Sequence, residues 1–227
     1  MFSLLTTAVV GAVFGLALAA PPGPMNAIIA EESVLRGWRP GVSAGLGAMT
    51  ADVLFCLLAL VGVITVLDTW PAIEPALYLV GGGLMCYFAV GAIRGARDAF
   101  ARDGVTATDA ATGFRKTFAL SVTNPYQIGF WVTVGVGLLQ PGSLDVFAHV
   151  PGLDGILAGS LVVETGSVAL LTGFFGGIGI WILAYPAALV ALGNRVDRLA
   201  PIVAALSAVV LAGFGALFLG LGMSQLG

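Results

Sequence analysis

Charge is what this chain lacks most. Asp, Glu, Lys and Arg make up only 9% of its 227 residues, against about 25% in ordinary soluble domains. So little polar surface cannot solvate a globule of this length, which excludes a soluble protein. The chain also has one histidine, His149, and one carboxylate well inside an apolar stretch, Asp52. A transition-metal site needs several converging His, Cys or carboxylate ligands, so no metal site and no other cofactor are expected. The two cysteines, Cys56 and Cys86, both lie in apolar stretches, where cysteine is most often a small core residue. The nine cations are dispersed along the chain rather than gathered in a patch, which argues against nucleic-acid binding.

What is present is apolar. Hydrophobic residues reach 59% and mean hydropathy is +1.04, the composition of a polytopic membrane protein. Thirty-three glycines are about twice the usual frequency. In a bilayer small residues let helix backbones approach closely. Gly11 and Gly15, Gly41 and Gly45, and Gly173 and Gly177 have the spacing of such contacts.

The cations fall into three clusters between apolar stretches: Arg36 and Arg39; Arg94, Arg97, Arg102, Arg115 and Lys116; Arg195 and Arg198. Short basic loops stay on the cytoplasmic side, so these clusters predict the topology. A bilayer core of about 30 Å needs about 20 helical residues. Six segments qualify, at about 4–34, 42–67, 76–93, 117–139, 169–192 and 201–222. The expected fold is all-α, a single membrane domain over 1–227. Repeat one would cover 1–93, a cytoplasmic loop 94–116, and repeat two 117–227. An even span count places both termini outside. The outer connections carry only acids and one histidine: Asp68 and Glu74, then Asp145, His149, Asp154 and Glu164. Trp38 and Trp70 stand near opposite ends of the second segment, as interfacial aromatics do. The loop 140–168 includes an apolar piece, 155–163, too short to span. Ala-Leu-Ala-Ala before Pro21 imitates a signal-peptide cleavage site, yet the first twenty residues carry no cation and the apolar run continues to Ile29. A cleaved signal is therefore not expected.

Segment one is interrupted by Pro21-Pro22-Gly23-Pro24, and segment four by Asn124-Pro125. Proline lacks the N–H that a helix interior needs, and irregular backbone survives in a membrane only against protein or a wet cavity. At about 1.5 Å per residue, Pro24 lies about 18 Å from the basic surface at Arg36, and Pro125 about 13 Å from it at Lys116. Two breaks near the midplane, in segments that open opposite halves and run in opposite directions, predict a 3+3 inverted repeat. Aligning Pro24 with Pro125 sets Asn26 against Gln127. The expected substrate site is therefore Pro22, Gly23, Pro24, Asn26, Asn124, Pro125 and Gln127, with broken-helix ends and freed carbonyls facing a bound molecule.

Asp52 joins that set, because an intramembrane acid must be paired, hydrated or protonated. A substrate ammonium, a proton or the backbone of the broken helix are its candidate partners. Glu31 and Glu32 lie near the basic end of segment one, with Glu32 and Arg36 at the favourable i, i+4 spacing.

Pro22-Gly23-Pro24-Met25-Asn26, then Arg36-Gly37-Trp38-Arg39-Pro40-Gly41 leading to Asp52, resembles the first half of the lysine exporter and homoserine/threonine exporter superfamily. Phe114 to Lys116, Asn124-Pro125, Phe130-Trp131 and Trp181 resemble its second half. The chain departs from the pattern at Tyr126, where many relatives carry lysine, and in its long outer loop. The resemblance implies a plasma-membrane secondary exporter of amino acids or similar small metabolites, not an enzyme, driven by protons. Homo-oligomerisation is left open. Two other classes remain as alternatives at this stage: a metal-ion exporter, and an intramembrane thiol carrier using Cys56 and Cys86.

Overall fold

Proline and glycine decide where the helices start and stop. The computed structural model describes residues 4–62, 73–101, 111–145, 161–193 and 199–224. Helix α1 (Leu4–Ala19) ends before Pro21-Pro22, and α2 (Pro24–Arg36) opens on Pro24. At a first helical position the missing N–H costs nothing and the fixed φ is already helical. Helix α2 closes at Gly37, whose φ of 99° is costly for any residue with a Cβ, and whose N–H donates to the Ser33 carbonyl at 2.9 Å. Helix α3 (Trp38–Leu60) begins at the next residue.

There follow α4 (Ile73–Ala101), α5 (Ala111–Val122), α6 (Pro125–Phe130), a π-helical segment Trp131–Gly135, and α7 (Val136–Leu139). Two strands, β1 (Gly142–Asp145) and β2 (Val162–Thr165), precede α8 (Val168–Gly193) and α9 (Leu199–Ser224).

The structure adds three details to what was expected. The protein is mostly helical, as expected, and carries in addition one short hairpin in which β1 and β2 pair antiparallel, Gly142 opposite Thr165 and Asp145 opposite Val162. Gly166, with φ of 70°, turns the chain out of β2, and its N–H donates to the Leu138 carbonyl at 2.8 Å. Secondly, α4 continues past Ile93 through Arg94 and Arg97, and α5 starts before Arg115, so the 94–116 connection is helical at both ends. Arginine and alanine are good helix formers, and charge marks where a bilayer ends rather than where a helix does. Thirdly, segment 117–139 is a succession of short pieces, the longest 12 residues, or about 18 Å. Asn124-Pro125 and the π segment divide it. Among the described residues four helices are long and apolar enough to cross a membrane, in α3, α4, α8 and α9, and five spans result if α1 and α2 count as one broken span. Arg102, Arg195, Arg198, His149, Asp68, Trp70 and Asp154 lie outside the described residues.

The chain forms two compact units. One comprises Met1–Ala20 and Phe130–Trp181. In it Gly11 and Gly15 lie against the carbonyls of Leu170 and Phe174, while Gly173 and Gly177 lie reciprocally against those of Ala8 and Ala12. A Cβ at any of these four would overlap backbone, so the paired glycines are what bring α1 and α8 together. Trp131 is fully buried beside Phe174 and Phe175, ring centroids 5.9 and 6.2 Å away.

The other unit comprises Pro21–Gly129 and Ile182–Gly227. Its core is built from Ile28, Ile29, Ala44, Tyr78, Met85, Leu120, Leu211 and Phe218. Every residue of α2 from Pro24 to Ser33 is buried except Met25, which is partly so. A helix enclosed on all sides is a core element rather than a lipid-facing one. Ser207 of α9 donates to the Ala27 carbonyl at 2.8 Å, and Gly41 of α3 packs on Ser33. By contrast Leu57, Leu60, Val80, Leu183, Leu206 and Val209 are exposed on α3, α4, α8 and α9. Apolar flanks of this extent belong against lipid, and the chain is a multi-pass membrane protein.

Candidate functional site

All eight residues expected at the site lie in the second unit. At the first break Pro21 and Pro22 are exposed and Pro24 is buried. Gly23 has φ of −172°, extended backbone open to any residue, and a Cβ there would meet nothing. Its glycine identity is therefore not required by this conformation. Asn26 is buried, and its Nδ2 donates to the Pro21 carbonyl at 2.8 Å. The side chain thus satisfies an acceptor that the proline run leaves without an in-helix donor.

The second break is built similarly. Pro125 is buried at the first position of α6, and Asn124 Oδ1 accepts from the Tyr126 N–H at 3.1 Å. An asparagine before a helix-opening proline is an N-cap, pairing one of the orphan donors of the first turn. The Asn124 carbonyl accepts from Gln127 and Ile128, both at 3.1 Å.

Two contacts gather these pieces. Ser121 Oγ stands 3.5 Å from the Met25 sulfur, so the residue after Pro24 meets the residue three before Asn124. Gln127 Nε2 donates to Asp52 Oδ1 at 2.7 Å, and Asp52 is only 6% exposed. One partner of the carboxylate is thus the carboxamide after the second break. The alignment of Asn26 with Gln127 brings no like function, since the first closes its own break and the second reaches another helix.

Beside this site Tyr126 meets Tyr78 at 6.1 Å and Phe218 at 5.3 Å between ring centroids, and Tyr78 meets Phe218 at 5.3 Å, edge to face. These rings form an aromatic cluster where α4, α6 and α9 meet. Sequence reasoning missed it, because Tyr78 and Phe218 read as ordinary span residues.

It missed a second feature nearer the basic end. Glu32 is fully buried and holds two cations: Arg36 one turn on, as the spacing anticipates, and Lys116 Nζ of α5 at 3.3 Å. Gly113 makes room, since a Cβ there would come within 3.1 Å of Glu32 Cγ. Thr117 adds a bond of 2.6 Å to the Ala44 carbonyl, fastening α5 to α3. Glu31 is buried as well. Among the described residues no three His, Cys, Asp or Glu side chains gather as a metal site. Cys56 and Cys86 are both free, on α3 and α4.

A helical, lipid-exposed chain whose few polar side chains turn inward around two helix breaks has the make-up of a membrane transport protein. Residues 16–224 match the model of the LysE type translocators, and the chain belongs to that family. It is thus a transporter and not an enzyme. It is 31% identical to an uncharacterised membrane protein of Pseudomonas aeruginosa, over 96% of this chain and 92% of that one. It is 33% identical to a Bacillus subtilis protein provisionally named an amino acid efflux protein, over 54% of this chain and 58% of that one. To the leucine efflux protein of Klebsiella pneumoniae it is 30% identical, over 65% of this chain and 66% of that one. No solved structure matches it.

Proposed function

We propose that the chain is a secondary active exporter of amino acids or related small metabolites, coupled to protons, with its substrate bound near the midplane between the two helix breaks. The observation that carries this reading is the bond between Gln127 and Asp52, which sets a buried carboxylate beside a helix that restarts inside the protein. A carboxylate so placed can bind a substrate ammonium or a proton. A zwitterion presents such an ammonium. An apolar side chain on that zwitterion is in keeping with relatives named for leucine efflux.

In this reading Pro22, Gly23, Pro24 and Asn26 form one side of the site, and Asn124, Pro125 and Gln127 the other. The halves 1–93 and 117–227 are an inverted repeat of three plus three spans, joined by a cytoplasmic connection at 94–116 in a single membrane domain. Both termini lie outside the cell, with the three basic clusters inside. The supports are the paired breaks, each opening on a proline, and the segregation of all nine cations.

The test loads cells with dipeptides and compares extracellular amino acids with and without the protein. One or a few amino acids accumulate outside only when it is present, and a proton uncoupler removes the difference. Equal extracellular pools in both cultures overturn the assignment.

A further inference from the structure

A cavity of about 480 Å³ opens between α4 and α5, lined by none of the residues proposed for the substrate site. Tyr87, Phe88 and Val90 line it from one helix, and Thr112, Arg115 and Lys116 from the other. Its size falls within the about 300–1,000 Å³ of small-molecule sites.

Two properties define what it would hold. Tyr87 is 72% exposed and Val90 47%. On a helix apolar enough to span a membrane, such exposure puts them against acyl chains. The polar side is basic, carrying Arg115 and Lys116 among the described residues. Lys116 is engaged by Glu32, whereas Arg115 is exposed and pairs with no carboxylate among the described residues. A guanidinium over an apolar wall matches a phosphodiester attached to a hydrocarbon chain. A free phosphate, with no chain, leaves the wall of Tyr87, Phe88 and Val90 unfilled. A zwitterionic head group would bring a second cation next to Arg115 and Lys116. Basic pockets between membrane helices are suited to anionic head groups.

We propose that this cavity binds the head group of an anionic phospholipid. Arg115 pairs with the phosphodiester through its forked donors, the Thr112 hydroxyl donates to it, and Tyr87 and Val90 carry the first part of an acyl chain. Lys116 faces both this cavity and Glu32, so an occupied head group competes with Glu32 for the same ammonium.

The experiment follows thermal unfolding of the purified full chain in detergent with added phosphatidylglycerol, phosphatidylcholine or inorganic phosphate. Phosphatidylglycerol should raise the melting temperature above the value in phosphatidylcholine, and inorganic phosphate should leave it unchanged. Arg115→Gln should abolish the difference between the two lipids, and Arg115→Lys should keep most of it. Equal protection by both lipids overturns the proposal, as does a lipid preference that survives in Arg115→Gln. Protection by inorganic phosphate equal to that by phosphatidylglycerol also overturns it, identifying a site for free anions. Should Arg115→Gln fail to fold, Thr112→Val and the three-ligand comparison on the unaltered chain decide.

Discussion

Gln127 Nε2 donates to Asp52 Oδ1 at 2.7 Å, tying the first turn of α6 to the body of α3 across 75 positions of sequence. The bond holds the short helix after the second break against a long one, and it directs one oxygen of the single acid of α3.

Asp52→Asn keeps an oxygen that can accept from Gln127 and removes the charge. The variant should fold with unchanged helical content and only a small change in melting, while export driven by a proton gradient falls to background. Transport in proteoliposomes, run beside circular dichroism, checks this. Undiminished export from folded protein removes Asp52 from the mechanism.

Gln127→Leu deletes the donor instead. Interhelical hydrogen bonds in membranes are worth about 0.6 to 1.7 kcal/mol, and a charged acceptor belongs at the upper end. Thermal unfolding should fall accordingly, with transport impaired more strongly than stability. A melting loss with transport intact would restrict the bond to a structural role.

Glu32→Gln leaves Arg36 and Lys116 without their shared buried partner. Removing one member of a buried ion pair costs about 3–5 kcal/mol. The double variant Glu32→Gln with Lys116→Gln should recover part of that loss, because one orphaned charge has gone. Melting temperatures of the two variants and the unaltered chain measure the difference.

Glycines on one helix should behave oppositely. Gly173→Ala drives a methyl group into the Ala8 carbonyl, whereas a Cβ at Gly176 meets nothing. The first substitution should destabilise. The second should be neutral or stabilising by up to about 1 kcal/mol, the helix propensity difference between Gly and Ala. Unfolding of both variants in detergent decides.

A similar contrast separates the two ends of α2. Gly37→Ala forces a Cβ into φ of 99° and should cost about 1–2 kcal/mol. Gly23→Ala enters extended backbone with open space and should leave melting unchanged.

What could be read from the sequence was local chemistry. Pro24 and Pro125 announce helix starts because a missing N–H has one meaning wherever it occurs. Gly11 with Gly15 and Gly173 with Gly177 announce close backbones because nothing else is so small. Arg36 and Glu32 pair through helix spacing alone. What escaped depends on how separate helices are rotated and shifted against each other. Lys116 meets Glu32 across 84 positions, and Tyr78, Tyr126 and Phe218 converge from three elements. No periodicity within a single segment encodes either. The strands escaped for a different reason: Gly142–Asp145 and Val162–Thr165 are four residues each, too brief for alternation to stand out.

The seam between α1 and α8 has a thermodynamic consequence. Its contacts are glycine backbone on alanine, leucine and phenylalanine carbonyls, so at the glycine positions it has no rotamers to freeze. Long side chains forfeit up to about 2 kcal/mol of rotational freedom when immobilised. Here that toll is absent at four positions, two on each helix. The seam's strength therefore rests on how well two backbones match in shape, and a single added methyl group is enough to part them.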